Sequence, residues 1–190
     1  MGLDSSSRYL RIGRELAHYL GVSLQEASAD VLRELARAYD PSASESRVSA
    51  EVFLLYKYLL VQACVGVFPD PETPHVVSGL CAALDERATG LEFDLDRQAA
   101  MERLWQTRAG QFDAPFAEDR VTFLQAGDTL HWKSTIVQFC QNVRQLGTPL
   151  DIWVGTNGPA QAASRSVTAT LNQMVSAVGE LKRLHLSNSD

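Results

Sequence analysis

Glu15 and His18, and again Asp128 and His131, stand three residues apart. Helical bundles use that spacing to present carboxylate–imidazole pairs to a di-iron centre, which needs two Glu-x-x-His pairs and two further glutamates. His18, however, falls about 200° around a helix from Leu16, at roughly 100° per residue, on the side away from the apolar face. Asp128 follows Gly127, where it reads as an N-cap accepting hydrogen bonds from unpaired backbone N–H groups. His75, in a first helical turn, and His185, near a helix end, read as solvated. These residues predict no metal site and no cofactor.

Nucleophilic catalysis requires a nucleophile held by a base and an orienting group. No Gly-x-Ser-x-Gly elbow is present, and Cys64, Cys81 and Cys140 lie in apolar helical stretches with nothing to lower a thiol pKa. Gly155-Thr156-Asn157-Gly158 could offer N–H groups to an anion at the start of the last helix. No Lys follows it and no buried strand precedes it, so it reads as a connecting loop. A softer chemistry lies in Tyr56, Lys57, Gln62 and Trp132. Lys57 and Gln62 interrupt the most apolar run of the chain. Facing one void with Tyr56 and Trp132, they would line an interhelical pocket for a polar small molecule. With Lys57 snorkelling to the surface and Gln62 bonded to backbone, the same residues are core packing.

The elements that must position these side chains are helices. The run from Val52 to Phe68 is apolar on every side, which predicts a buried central helix over about 48–68. Around it the 3.6-residue period recurs from end to end. Tyr9, Ile12, Leu16 and Leu20 form one face of a first helix, which Gly21 is expected to end. Ser23 and Glu26 have the spacing of a capping box for a second helix, with Leu24, Ala27, Val31, Leu35 and Ala38 inward. Pro69-Asp70-Pro71 stops the central helix and Thr73-Pro74 starts the next. A fifth helix is expected over about 95–109, a turn at Asp113 to Pro115, and a long helical region over about 117–146. Leu150 to Val154 is the one candidate for a short strand. In the last helix Val167, Leu171, Met174, Val178 and Leu181 alternate steps of four and three, the spacing of a packed seam. The fold expected over residues 1–190 is a single all-α domain, a helical bundle of six to eight helices around 48–68, with at most one short strand near 150–154.

One local stretch points elsewhere. Glu15-Leu16-Ala17-His18-Tyr19-Leu20-Gly21-Val22-Ser23, followed by Ala27-Ser28, resembles the ELAxxLGVSxxxxS pattern of bacterial helix-turn-helix modules. The resemblance covers about 22 residues. It implies that Ala17 packs against a second helix, Gly21 makes the turn, and the helix from Ser23 reads DNA. The outward positions Gln25, Glu26, Ala29 and Asp30 place acid where phosphate would lie, and DNA affinity comes largely from neutralising phosphates. Read from its residues alone, the stretch is an αα-hairpin with a glycine turn and a serine cap.

A chain of 190 residues that is 45% apolar can bury a full core. Its net charge of −6, with no basic cluster, disfavours nucleic acid and anionic membrane surfaces as partners. An odd number of cysteines and no leader-like start point to a cytoplasmic location. The expected function is non-enzymatic: an adaptor, regulator or immunity-type factor acting through a protein partner or self-association. Val167, Leu171, Met174 and Val178 are the expected interface. The alternatives are a small-molecule sensor or enzyme with an interhelical pocket, and a helix-turn-helix transcription regulator.

Overall fold

The computed structural model describes residues 5–89, 95–126, 132–144 and 159–186. Among the described residues the chain is all-α, with seven helices and no strand: α1 (Ser5–Ser23), α2 (Ala27–Tyr39), α3 (Glu45–Val67), α4 (Thr73–Thr89), α5 (Leu95–Ala126), α6 (Lys133–Arg144) and α7 (Pro159–Leu186). The segment 150–154, a candidate strand, lies outside the described residues. The chain divides into two compact units. The first comprises Met1–Ser23, Leu59–Arg103 and Leu171–Asp190; the second comprises Leu24–Tyr58 and Leu104–Thr170. Helices α3, α5 and α7 each contribute one part to each unit. An apolar-all-round helix such as α3 can therefore bury Val48, Val52 and Leu55 in one unit and Leu59, Leu60 and Cys64 in the other. Among the described residues α3 is the one helix long and apolar enough to cross a membrane, and 61% of its apolar window is buried.

In the first unit α1 lies against α4 through two glycines. A Cβ on Gly13 would collide with the Val76 carbonyl oxygen and the Leu80 nitrogen, and one on Gly79 would collide with the backbone of Leu10. Both residues are buried, so the helix axes approach as closely as bare backbone allows. Ile12, Leu16, Leu20, Val76 and Leu80 fill the space beside that crossing. Lys182 of α7 donates from Nζ to the carbonyl of Val67 at 2.8 Å, closing the last turn of α3 where a helix dipole favours a cation. The same ammonium lies 5.1 Å over the Phe68 ring.

The second unit is tied by buried polar contacts. Arg108 forks onto Glu51 with bonds of 3.0, 2.9 and 2.6 Å, and the side chains are only 12% and 4% exposed. Tyr58 Oη donates to Asp113 at 3.0 Å, and its ring packs on Phe112 and Phe116. Trp132 stacks on Phe116 and donates from Nε1 to Thr168 of α7 at 3.1 Å. Helix α6 follows Trp132, which has no side-chain acceptor to cap it. Asp119 of α5 takes that role, accepting from the backbone N–H groups of Ser134 (2.9 Å) and Thr135 (2.7 Å). Burial is the largest influence on its carboxyl and raises its pKa, against the opposing pull of those N–H donors. Asp119→Ala is expected to lower stability by about 1–2 kcal/mol, the usual worth of a helix cap, read from the midpoint of urea unfolding.

Several boundaries differ from those expected. Gly21 does not end α1, which continues to Ser23 and breaks at Leu24, Gln25 and Glu26. Ser23 is consequently buried as the last residue of α1, its hydroxyl unpartnered, and Glu26 holds the N-cap position of α2 without a side-chain bond. No capping box forms, and no helix starts at Ser23. The helix-turn-helix resemblance thus loses the turn and the reader start it implied, while Asp30 is exposed and paired with Arg33 at 2.6 Å. The turn expected at Asp113 to Pro115 is absent, because α5 runs through Pro115. Pro115 removes one backbone donor, yet Phe112 and Phe116 on either side are buried against Tyr58, and that packing holds the helix together.

Candidate binding groove

In the first unit, α1 and the second half of α7 leave a groove of about 790 Å³ between them. On α1 it is lined by Arg11, Arg14, Glu15, His18, Tyr19 and Val22, and on α7 by Ala177, Glu180, Leu181 and Leu184. Both sets step by three and four residues, so each is one longitudinal stripe of its helix. Val22 is 49% and Leu184 52% exposed, unusually high for large apolar side chains lining one concavity. Tyr19, Ala177 and Leu181 are half-buried beneath the charged rim.

The rim is cross-linked. Glu15 accepts from Arg11 Nε at 3.3 Å through one oxygen, and its other oxygen lies 3.0 Å from His185 Nε2 at the end of α7. Arg14 pairs with Glu86 of α4 at 2.7 Å, with both side chains more than half exposed. Such exposed pairs contribute little to stability, and their partners exchange readily. His18 is exposed on the rim, and Glu15 is held by Arg11 and His185, so this Glu-x-x-His spacing forms no ligand pair. Among the described residues no three His, Cys, Asp or Glu side chains converge as metal ligands. Asp128 and His131 lie outside the described residues.

The pocket residues read from the sequence have separate engagements. Tyr56 Oη donates to Ser28 Oγ at 3.0 Å and lies 3.3 Å from Thr170 Oγ1, and burial raises its pKa. Lys57, 6% exposed, carries its ammonium 4.2 Å over the Trp105 ring, a cation–π contact that places the charge on an indole face. Trp132 is held by Phe116 and Thr168. These three belong to the second unit, whereas Gln62 is half-buried in the first. The structure therefore gives Tyr56, Lys57 and Trp132 different neighbours.

No protein family, curated protein or solved structure matches this chain.

The seam expected to meet a partner faces inward. Val167 is fully buried in the second unit, Met174 and Val178 are fully buried in the first, and Leu171 is half-buried. The cleanest apolar period in an amphipathic helix marks the face the chain buries for itself, and that face is used up. The groove takes in Leu181, on which that seam ends, together with Ala177 and Leu184, which sequence reasoning passed over. Its signal was Ala177, Leu181 and Leu184 at four and three residues, beside Tyr19 and Val22 three apart on α1.

The cysteines support no reactive role. Cys64 and Cys140 are buried, and loss of hydration pushes both thiols up to about 12. At pH 8 only about one part in ten thousand of either is thiolate. Titration of the native protein with Ellman reagent should release the equivalent of the half-buried Cys81 alone, the other two appearing only in denaturant.

Proposed function

We propose that this chain works by holding a segment of another protein in the α1–α7 groove, as an adaptor, regulator or immunity-type factor does. The observation that carries this reading is the exposure of Val22 and Leu184 on two helix-spaced stripes lining one groove. Two helix-spaced stripes bordering one groove are walls into which an additional helix can pack its ridges. Three free thiols support a reducing, cytoplasmic setting.

The test is selection of displayed amphipathic helical peptides on the wild-type protein, with each recovered binder re-measured on Leu184→Asp and Val22→Asp. Both positions are half exposed, so the variants should keep the wild-type circular dichroism and unfolding midpoint. The reading expects binders whose affinity falls at least about tenfold on both variants, the scale of an apolar contact replaced by a charge. Recovery only of peptides indifferent to both substitutions would reject the groove as the binding face.

A further inference from the structure

The two arginines and two glutamates that line the groove balance in number but are unevenly matched. On α1, Glu15 has two neighbours, Arg11 at 3.3 Å and His185 at 3.0 Å, while Arg14 is taken by Glu86 of α4. On α7, Glu180 is exposed and, among the described residues, carries no hydrogen bond or ion pair. One wall therefore holds a carboxylate with two partners, and the other holds a carboxylate with none. Arg11 is 68% exposed and reaches Glu15 through Nε alone, and an exposed pair of that kind exchanges readily. The exposed large apolar side chains are also shared out one to a wall, Val22 on α1 and Leu184 on α7.

A face whose two walls complement one another is complementary to its own copy, which is the requirement of a two-fold interface. We propose that the groove is covered by the same groove of a second copy of this chain, α1 of each copy lying against α7 of the other. Four helices then share one apolar seam, as two helix pairs do in a bundle. Val22 of each copy meets the partner's Leu184. The guanidinium of Arg11 passes to the partner's Glu180, and Glu15 keeps His185. Two chains of net charge −6 repel one another over most of their surface, and a face with acid and base in equal number is where they can approach. This rests on the reading of the groove as a protein-binding face and names its first occupant, which any other partner must displace. The stripe on α1 from Arg11 to Val22 spans about 16 Å at 1.5 Å per residue, a short contact that implies micromolar and not nanomolar association.

The test is sedimentation velocity of the full chain from about 1 μM to about 500 μM, a range that spans micromolar dissociation constants. The wild type should pass from monomer to dimer, and Leu184→Asp should stay monomeric where the wild type is mostly dimer, with unchanged circular dichroism. Arg11→Glu and Glu180→Arg each set like charge against like at both contacts of the two-fold, so each should weaken self-association about tenfold or more. Mixed together, these two variants should form a heterodimer as tight as the wild-type dimer, because every contact again joins an arginine to a glutamate. A wild type that is monomeric throughout, a dimer indifferent to Leu184→Asp, or a mixture no tighter than either variant alone would overturn the proposal. A monomer that still captures helical peptides in a Leu184-dependent way leaves the groove reading standing, and failure of both experiments removes the two together.

Discussion

Arg108→Met is expected to destabilise the protein by about 3–5 kcal/mol at neutral pH, the cost of breaking a buried ion pair from one side. Glu51 sits in α3 with its side chain 4% exposed, and Arg108 supplies three close contacts to its two oxygens. With the guanidinium gone, a carboxylate stays in a site where little water reaches it. Most of the loss is that stranded charge and not the intrinsic strength of the pair. Replacing both partners, Glu51→Leu with Arg108→Met, should therefore recover most of the deficit, because an apolar pair of similar volume leaves nothing unsatisfied. Urea unfolding of the wild type, both single variants and the double variant forms the cycle that measures this coupling. A double variant as unstable as the sum of the singles would show that packing, not charge, dominates the site.

The second large effect is expected at the α1–α4 crossing. Gly13→Ala and Gly79→Ala should each cost about 3 kcal/mol or more, above the usual range for overpacking, because the atoms in the way are backbone and cannot rotate aside. Helix propensity works in the opposite direction, favouring alanine over glycine by about 1 kcal/mol in a helix interior. Gly110 supplies the control: it is exposed within α5, and a Cβ there meets nothing within 4 Å. Gly110→Ala should raise the unfolding midpoint while the other two lower it. The same substitution with opposite signs at three helical positions would separate close approach from propensity. A mild effect at Gly13 and Gly79 would mean that the two helices can separate at little cost.

Much of the architecture was legible from the residues. Val52 to Phe68 is apolar on all sides, and an element of that kind has no stable place except among other elements, so α3 was expected and found as core. Pro69-Asp70-Pro71 ended it for a purely local reason, the lost donor and the steric clash of proline. Local rules failed where tertiary contacts outweighed them. Pro115 should stop a helix, but Phe112 and Phe116 on either side of it pack against Tyr58 and carry α5 through. Ser23 and Glu26 had the spacing of a capping box, but Ser23 stays helical and buried at the end of α1. The capping of α6 by Asp119 was invisible for another reason. The donors and the acceptor lie on different helices, and no spacing rule connects them.

The sequence by itself determined the helical class, the burial of α3 and the inward stripe of α1, but not that of α2, which buries Ala29, Leu32, Leu35 and Ala36 and leaves the expected Ala27 and Ala38 exposed. Those properties follow from hydrophobic periodicity, which any compact packing must satisfy. Only the tertiary structure decided which Glu-x-x-His atoms stay apart, that Lys57 rests on Trp105, and that Val167, Met174 and Val178 are used up inside the chain. It also decided that Tyr19, Val22, Leu181 and Leu184 border one open groove. A periodic pattern states that a face is apolar. Whether the chain's own helices or another molecule covers that face depends on where distant segments arrive, and that is set by packing across the fold.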